Sequence, residues 1–118
     1  MSRRVCILIV ASCGPFRDGL RILLRAKPDI AQVALADTFD NGVQLISQQP
    51  PDAIVVDADL LDPVVIEAQL EQLKALTPHT HQLIIVHTQI QQQQVQSAGL
   101  SALLAGFTAE DLFASIFV

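Results

Sequence analysis

Residues 51–60 read PDAIVVDADL, and the short apolar run from Ala53 to Val56 inside them decides the architecture. It is rich in β-branched residues, follows Pro50-Pro51, and ends abruptly on the carboxylate of Asp57. A strand of this kind is bounded by turn residues on one side and by chemistry on the other, because a buried strand has no packing use for an acid at its tip. Working outward, VCILIV (5–10) and LIIV (83–86) are stronger runs of the same type, and QVALA (32–36) and SALLA (101–105) are weaker ones. VCILIV and LIIV are continuous rather than alternating, the pattern of parallel strands covered on both faces.

Helical spacing fills the intervals. From Pro15, apolar residues recur at Phe16, Leu20, Leu23 and Leu24 until Lys27-Pro28-Asp29 ends the segment. Asp40 to Gln48 repeats the pattern through Val43, Leu45 and Ile46. Pro63 is expected at the first turn of a third helix, with Val64, Ile66, Leu70 and Leu73 facing inward. Gln89–Ser97 forms a fourth, and Thr108 caps a fifth with Asp111 three residues on. Strand and helix alternate five times with short connections. The chain therefore predicts a doubly wound α/β domain with a five-stranded parallel sheet and right-handed crossovers.

The 118 residues are 51% hydrophobic, enough for one sizeable core and no second domain, so residues 1–118 are read as a single unit. Formal net charge is −5 with only seven Lys and Arg, too little positive charge for this segment alone to hold nucleic acid. No apolar run approaches the roughly 20 residues that cross a bilayer, and the six-residue run after Arg3-Arg4 reads as a first strand, not a signal peptide. Cys6 and Cys13, with no metal-ligand spacing around them, suit a reducing cytoplasm, and Cys6, inside the first strand, is expected in the core. The ending LFASIFV leaves Phe117 and Val118 without a polar tail, which suits either a piece of a longer protein or a natural terminus tucked into the core.

In an open parallel sheet, sites form outside the carboxyl ends of the strands. Here those ends are Ala11-Ser12-Cys13, Asp57, His87-Thr88 and Ala105-Gly106. With these segments in view, the chain resembles the receiver domains of two-component response regulators, in particular those ahead of a DNA-binding helix-turn-helix in nitrate-response-like regulators. GPFRDGLRILL (14–24), PPDAIVVDADL (50–60), LIIVHT (83–88) and AGLSALLAG (98–106) carry the likeness, in order and at the right spacing. The resemblance implies a flavodoxin-like fold with strand order 2-1-3-4-5. It also implies a phosphoacceptor position at Asp57 and a hydroxyl residue at Thr88. Departures are equally specific. Two adjacent acids after the first strand are matched by Ala11 and Ser12, the lysine after the fifth strand by Gly106, and the switch aromatic by Leu103.

These losses bear directly on chemistry. Mg²⁺ needs carboxylate oxygens in octahedral geometry, and phosphoryl transfer relies on positioned positive charge. Each missing unit charge at ~4 Å represents roughly 4 kcal/mol at an effective dielectric near 20, before desolvation is subtracted. The expectation is a degenerate receiver, or pseudo-receiver. It is not an enzyme, uses no cofactor or metal, and works in the cytoplasm through a protein partner or a C-terminal effector domain, with a homodimer as one form of contact.

Two alternatives stand beside it. Asp57 remains the acceptor of an atypical phospho-accepting receiver aided by Ser12 or neighbouring acids, or Cys13 serves a thiol- or ligand-sensing domain at the old site. An arginine six residues after the cysteine would be needed for a phosphate-holding thiol loop, and Gly19 stands there. The ordinary role of Cys13 is a small residue filling the space of the lost acids. Strand alternation is expected to send Asp57 and Asp59 to one side, with Asp62 beyond the strand. His79 and His81 are expected exposed in the turn before the fourth strand, on the far side of the sheet, with His87 as a partly exposed structural imidazole. Gln91–Gln94 are amides that desolvate more cheaply than charges and so suit either solvent or an interface.

Overall fold

The computed structural model describes residues 5–116. The elements run β1 (Val5–Val10), α1 (Pro15–Arg25), β2 (Ile30–Ala36), α2 (Phe39–Gln48), β3 (Ala53–Asp57), a 3₁₀ turn (Ala58–Leu60), α3 (Ile66–Leu76), β4 (His81–Val86), α4 (Gln89–Ser97), β5 (Ser101–Leu104) and α5 (Ala109–Ile116). All strand pairs are parallel, and their order is β2-β1-β3-β4-β5. Phe117 and Val118 lie outside the described residues, as does the inference drawn from them about a longer chain.

The two-residue period of the strands divides the core. Leu8, Val10, Ile54, Val56, Ile84 and Val86 face one side and pack with Ile46 of α2, Leu70 and Leu73 of α3, and Val95 of α4. Ile7, Ile9, Val55, Leu83 and Ile85 face the other, against Leu20 and Leu24 of α1 and Leu112 and Ile116 of α5. Both faces of β3 and β4 are therefore dry, which is why these runs do not alternate. Full burial of each such side chain stabilises the fold by about 1.5–3 kcal/mol.

Three local expectations need correction. Helix α3 begins at Ile66 and not at Pro63, because the Asp62 carboxylate accepts a hydrogen bond from Val64 N–H (2.9 Å) and Val65 N–H bonds back to the Asp62 carbonyl (3.0 Å). This Asx turn competes with the helix, and it leaves Val64 89% exposed instead of inward. Strand β4 starts at His81, since His81 and Gln82 pair with Ala53 and Ile54. His81 is accordingly half-buried, its Nε2 2.5 Å from the Ser115 carbonyl on α5, while His79 is exposed as expected. Cys6 is not core. It is half-buried and lines a cavity of about 280 Å³ beside Gln48, Pro51 and Asp52 at the amino end of the sheet.

Candidate functional site

Parallel register brings the strand ends level. Val10 pairs with Val56, Asp57 with Ile85, and Val86 with Leu104. Asp57 thus ends β3 beside the end of β4, and its side chain is 13% exposed. Its Oδ1 accepts a hydrogen bond from Asp59 N–H (3.0 Å), capping the 3₁₀ turn. The same oxygen lies 2.7 Å from His87 Nε2. Asp59 and Asp57 do come together, but the capped turn brings them there, not strand alternation. Asp59 Oδ2 stands 3.6 Å from the same imidazole nitrogen.

His87 is fixed from three directions. Its ring meets Phe16 of α1 edge-on, with centroids 6.0 Å apart, and its backbone N–H donates to Gln91 Oε1 (2.7 Å). The other end of that amide, Gln91 Nε2, donates to Asp59 Oδ1 (3.0 Å). Gln91 therefore joins α4 to the site, a role its place in a glutamine run conceals. Thr88 is the N-cap of α4, and its Oγ1 accepts from Gln91 N–H (3.1 Å). Asp62 stays outside the group because its carboxylate is committed to the Val64 turn.

The remaining predicted residues take unequal places. Ala11 is fully buried at the end of β1, whereas Ser12 and Cys13 are exposed. Cys13 is not filling buried space, because the chain has turned toward α1 and emerged into solvent by that point. Gly106 is exposed with φ +94°, in the region that favours glycine, and Leu103 is half-buried in β5. Arg17, four residues after Cys13, carries its guanidinium to Asp37 at the end of β2. Native-state alkylation of the two thiols is expected to differ accordingly, with Cys13 reacting faster than Cys6 by about an order of magnitude. Cys13→Ala is expected to leave stability within about 0.5 kcal/mol. Equal alkylation rates, read by mass spectrometry, would contradict the exposure assigned to Cys13.

No family model matches this sequence, and no curated protein is significantly similar to it. Solved structures are. A response regulator receiver domain protein (CheY-like) from Methanospirillum hungatei superposes with TM-score 0.81 at 19% identity, over 97% of this chain and 91% of that one. A two-component response regulator of the LuxR family from Aurantimonas gives 0.79 at 21% identity, over 94% and 81%. A Saccharomyces cerevisiae receiver domain, crystallised with a histidine phosphotransfer signaling protein, gives 0.76 at 15% identity, over 98% and 88%. The chain has the receiver fold, flavodoxin-like with strand order 2-1-3-4-5. Among the described residues, no helix is long and apolar enough to cross a membrane.

Proposed function

We propose that this chain is a degenerate receiver that acts through protein contact, without Mg²⁺-dependent phosphotransfer. The observation that carries this reading is the composition of the carboxyl edge. Asp57 keeps the acceptor place, yet the ends of β1 and β5 on the same edge of the sheet lead into the buried methyl of Ala11, the hydroxyl of Ser12 and the bare backbone of Gly106. An Mg²⁺ ion demands near-ideal octahedral oxygen coordination. Here the group nearest Asp57 Oδ1 is the imidazole nitrogen of His87, a donor foreign to an all-oxygen shell. The set does not fit that ion, and Gly106 has no cation to meet a phosphoryl group. The hydroxyl of Thr88 is engaged as a helix cap.

Support for a contact role comes from the same rim. Val64 and Val65 after β3, Ile90 after β4 and Leu104 at the end of β5 are large apolar residues between 44% and 89% exposed. Single exposed apolar residues are ordinary, but four on segments leaving the same sheet edge suit a partner surface, whether a protein partner, an adjoining effector domain or a second copy. One observation favours the runner-up, an atypical acceptor: Asp57 is still 13% exposed and has a second carboxylate, Asp59, close by.

Beryllofluoride with Mg²⁺ separates the two readings. Amide spectra of residues 88–106 are expected to stay unchanged under that treatment and under acetyl phosphate. Movement of these residues that Asp57→Asn abolishes would make Asp57 an acceptor and overturn the proposal.

A further inference from the structure

We propose that Asp57, Asp59 and His87 form a binding site for a divalent transition-metal ion of the zinc type. One ligand atom from each of the three lies within 4.8 Å of the others. His87 Nε2 is 2.7 Å from Asp57 Oδ1 and 3.6 Å from Asp59 Oδ2. Ligands roughly 2.1 Å from a common tetrahedral ion sit about 3.4 Å apart, so small side-chain rotations suffice to converge on one. The inference rests on the reading above in one respect, that these carboxylates are not engaged in an Mg²⁺ phosphotransfer centre.

The chemistry of the donors selects the ion. An imidazole nitrogen beside two carboxylates suits Zn²⁺, Co²⁺, Ni²⁺ or Cu²⁺, whereas Mg²⁺ and Ca²⁺ prefer oxygen alone. The ligands come from the ends of two adjacent strands and one hydrogen-bonded turn, so the backbone carrying them is held in register. Gln91 supplies what a metal site needs around its ligands. Its amide holds Asp59 from one side and the His87 backbone from the other, while Phe16 limits the tilt of the ring. Metal entry replaces the Nε2···Oδ1 contact: a neutral imidazole binds through Nε2 with its single ring proton on Nδ1 and no net release, whereas a doubly protonated ring keeps the Nδ1 proton and releases the Nε2 proton to water. Asp59 is 60% exposed, which leaves the fourth position open to water or to a donor from a docked protein.

The test is titration of untagged protein with Zn²⁺ by calorimetry, and with Co²⁺ by visible absorption, in millimolar Mg²⁺. One equivalent is expected to bind saturably, with a Co²⁺ spectrum of low coordination number. His87→Ala and Asp59→Asn are each expected to weaken Zn²⁺ by about a hundredfold or more, and Gln91→Ala by about tenfold, as for groups that orient ligands. His79→Ala and Cys13→Ser are expected to change nothing. His87→Gln, with circular dichroism on every variant, guards against a folding defect. Absence of saturable Zn²⁺ binding, or wild-type affinity in both His87 variants, overturns the inference. A beryllofluoride response overturns the proposed function instead, so the two failures are distinguishable.

Discussion

The double variant Ser12→Asp/Gly106→Lys is expected to acquire Mg²⁺-dependent modification by acetyl phosphate that the parent chain lacks, a change of at least about a hundredfold in initial rate. Each restored charge at ~4 Å from the reacting group is worth roughly 4 kcal/mol at an effective dielectric near 20, and part of that survives desolvation. The choice of positions follows from exposure. Ser12 is exposed and accepts a carboxylate freely, whereas Ala11 is 1% exposed and a charge there would start in the core. Gly106 is open, with no atom within 4 Å of an added Cβ, but its φ of +94° makes any side chain strained by about 1–3 kcal/mol. The double variant should therefore melt lower while gaining activity. Phosphate incorporation is read by intact mass, with Asp57→Asn as the blank. Incorporation in the parent chain equal to that in the double variant would show that the acids and lysine were never missing in effect.

Gly42→Val is expected to lower stability by about 1–3 kcal/mol, through overpacking against β1. A Cβ at Gly42 would lie 2.9 Å from Val10 Cγ2 and 3.8 Å from Ala36 Cβ, and Val10 is a buried, stiff strand residue that cannot swing away. Gly42→Ala tests the balance. Alanine carries the same Cβ and must also displace α2, but it gains about 1 kcal/mol of helix propensity over glycine, which offsets part of that cost. Alanine should fall below the parent and valine further below it, in urea midpoints at constant m. A valine variant as stable as the parent would mean that α2 does not sit this close to the sheet.

Most of the architecture is legible in residue patterns. The apolar runs around Ile7, Ile54 and Ile84 are short, continuous and separated by helical spacing, and no arrangement but a sheet covered on both faces buries them all. The Thr108 cap was legible for a similar reason. Its hydroxyl binds a backbone amide within its own turn, so three residues of sequence contain the whole interaction, whereas Thr88, read as a site hydroxyl, proved to cap α4 in the same way. The start of α3 was not, because Pro63 permits either a first helical turn or an Asx turn, and the Asp62 side chain chose the second.

The site divides along the same line. Sequence by itself determined that an acid ends β3, that Ala11, Ser12 and Gly106 are neither acids nor lysines, and that seven Lys and Arg stand against twelve Asp and Glu. Only the tertiary structure decided that Asp57 meets His87, thirty residues away, that Asp59 turns back to join them, and that Gln91 ties Asp59 and His87 to α4. Backbone hydrogen bonds and apolar burial are local or periodic, so they leave marks in the chain. Contacts between polar side chains at the ends of neighbouring strands depend on register and on which rotamers the surrounding turns allow, and neither is written in the order of residues.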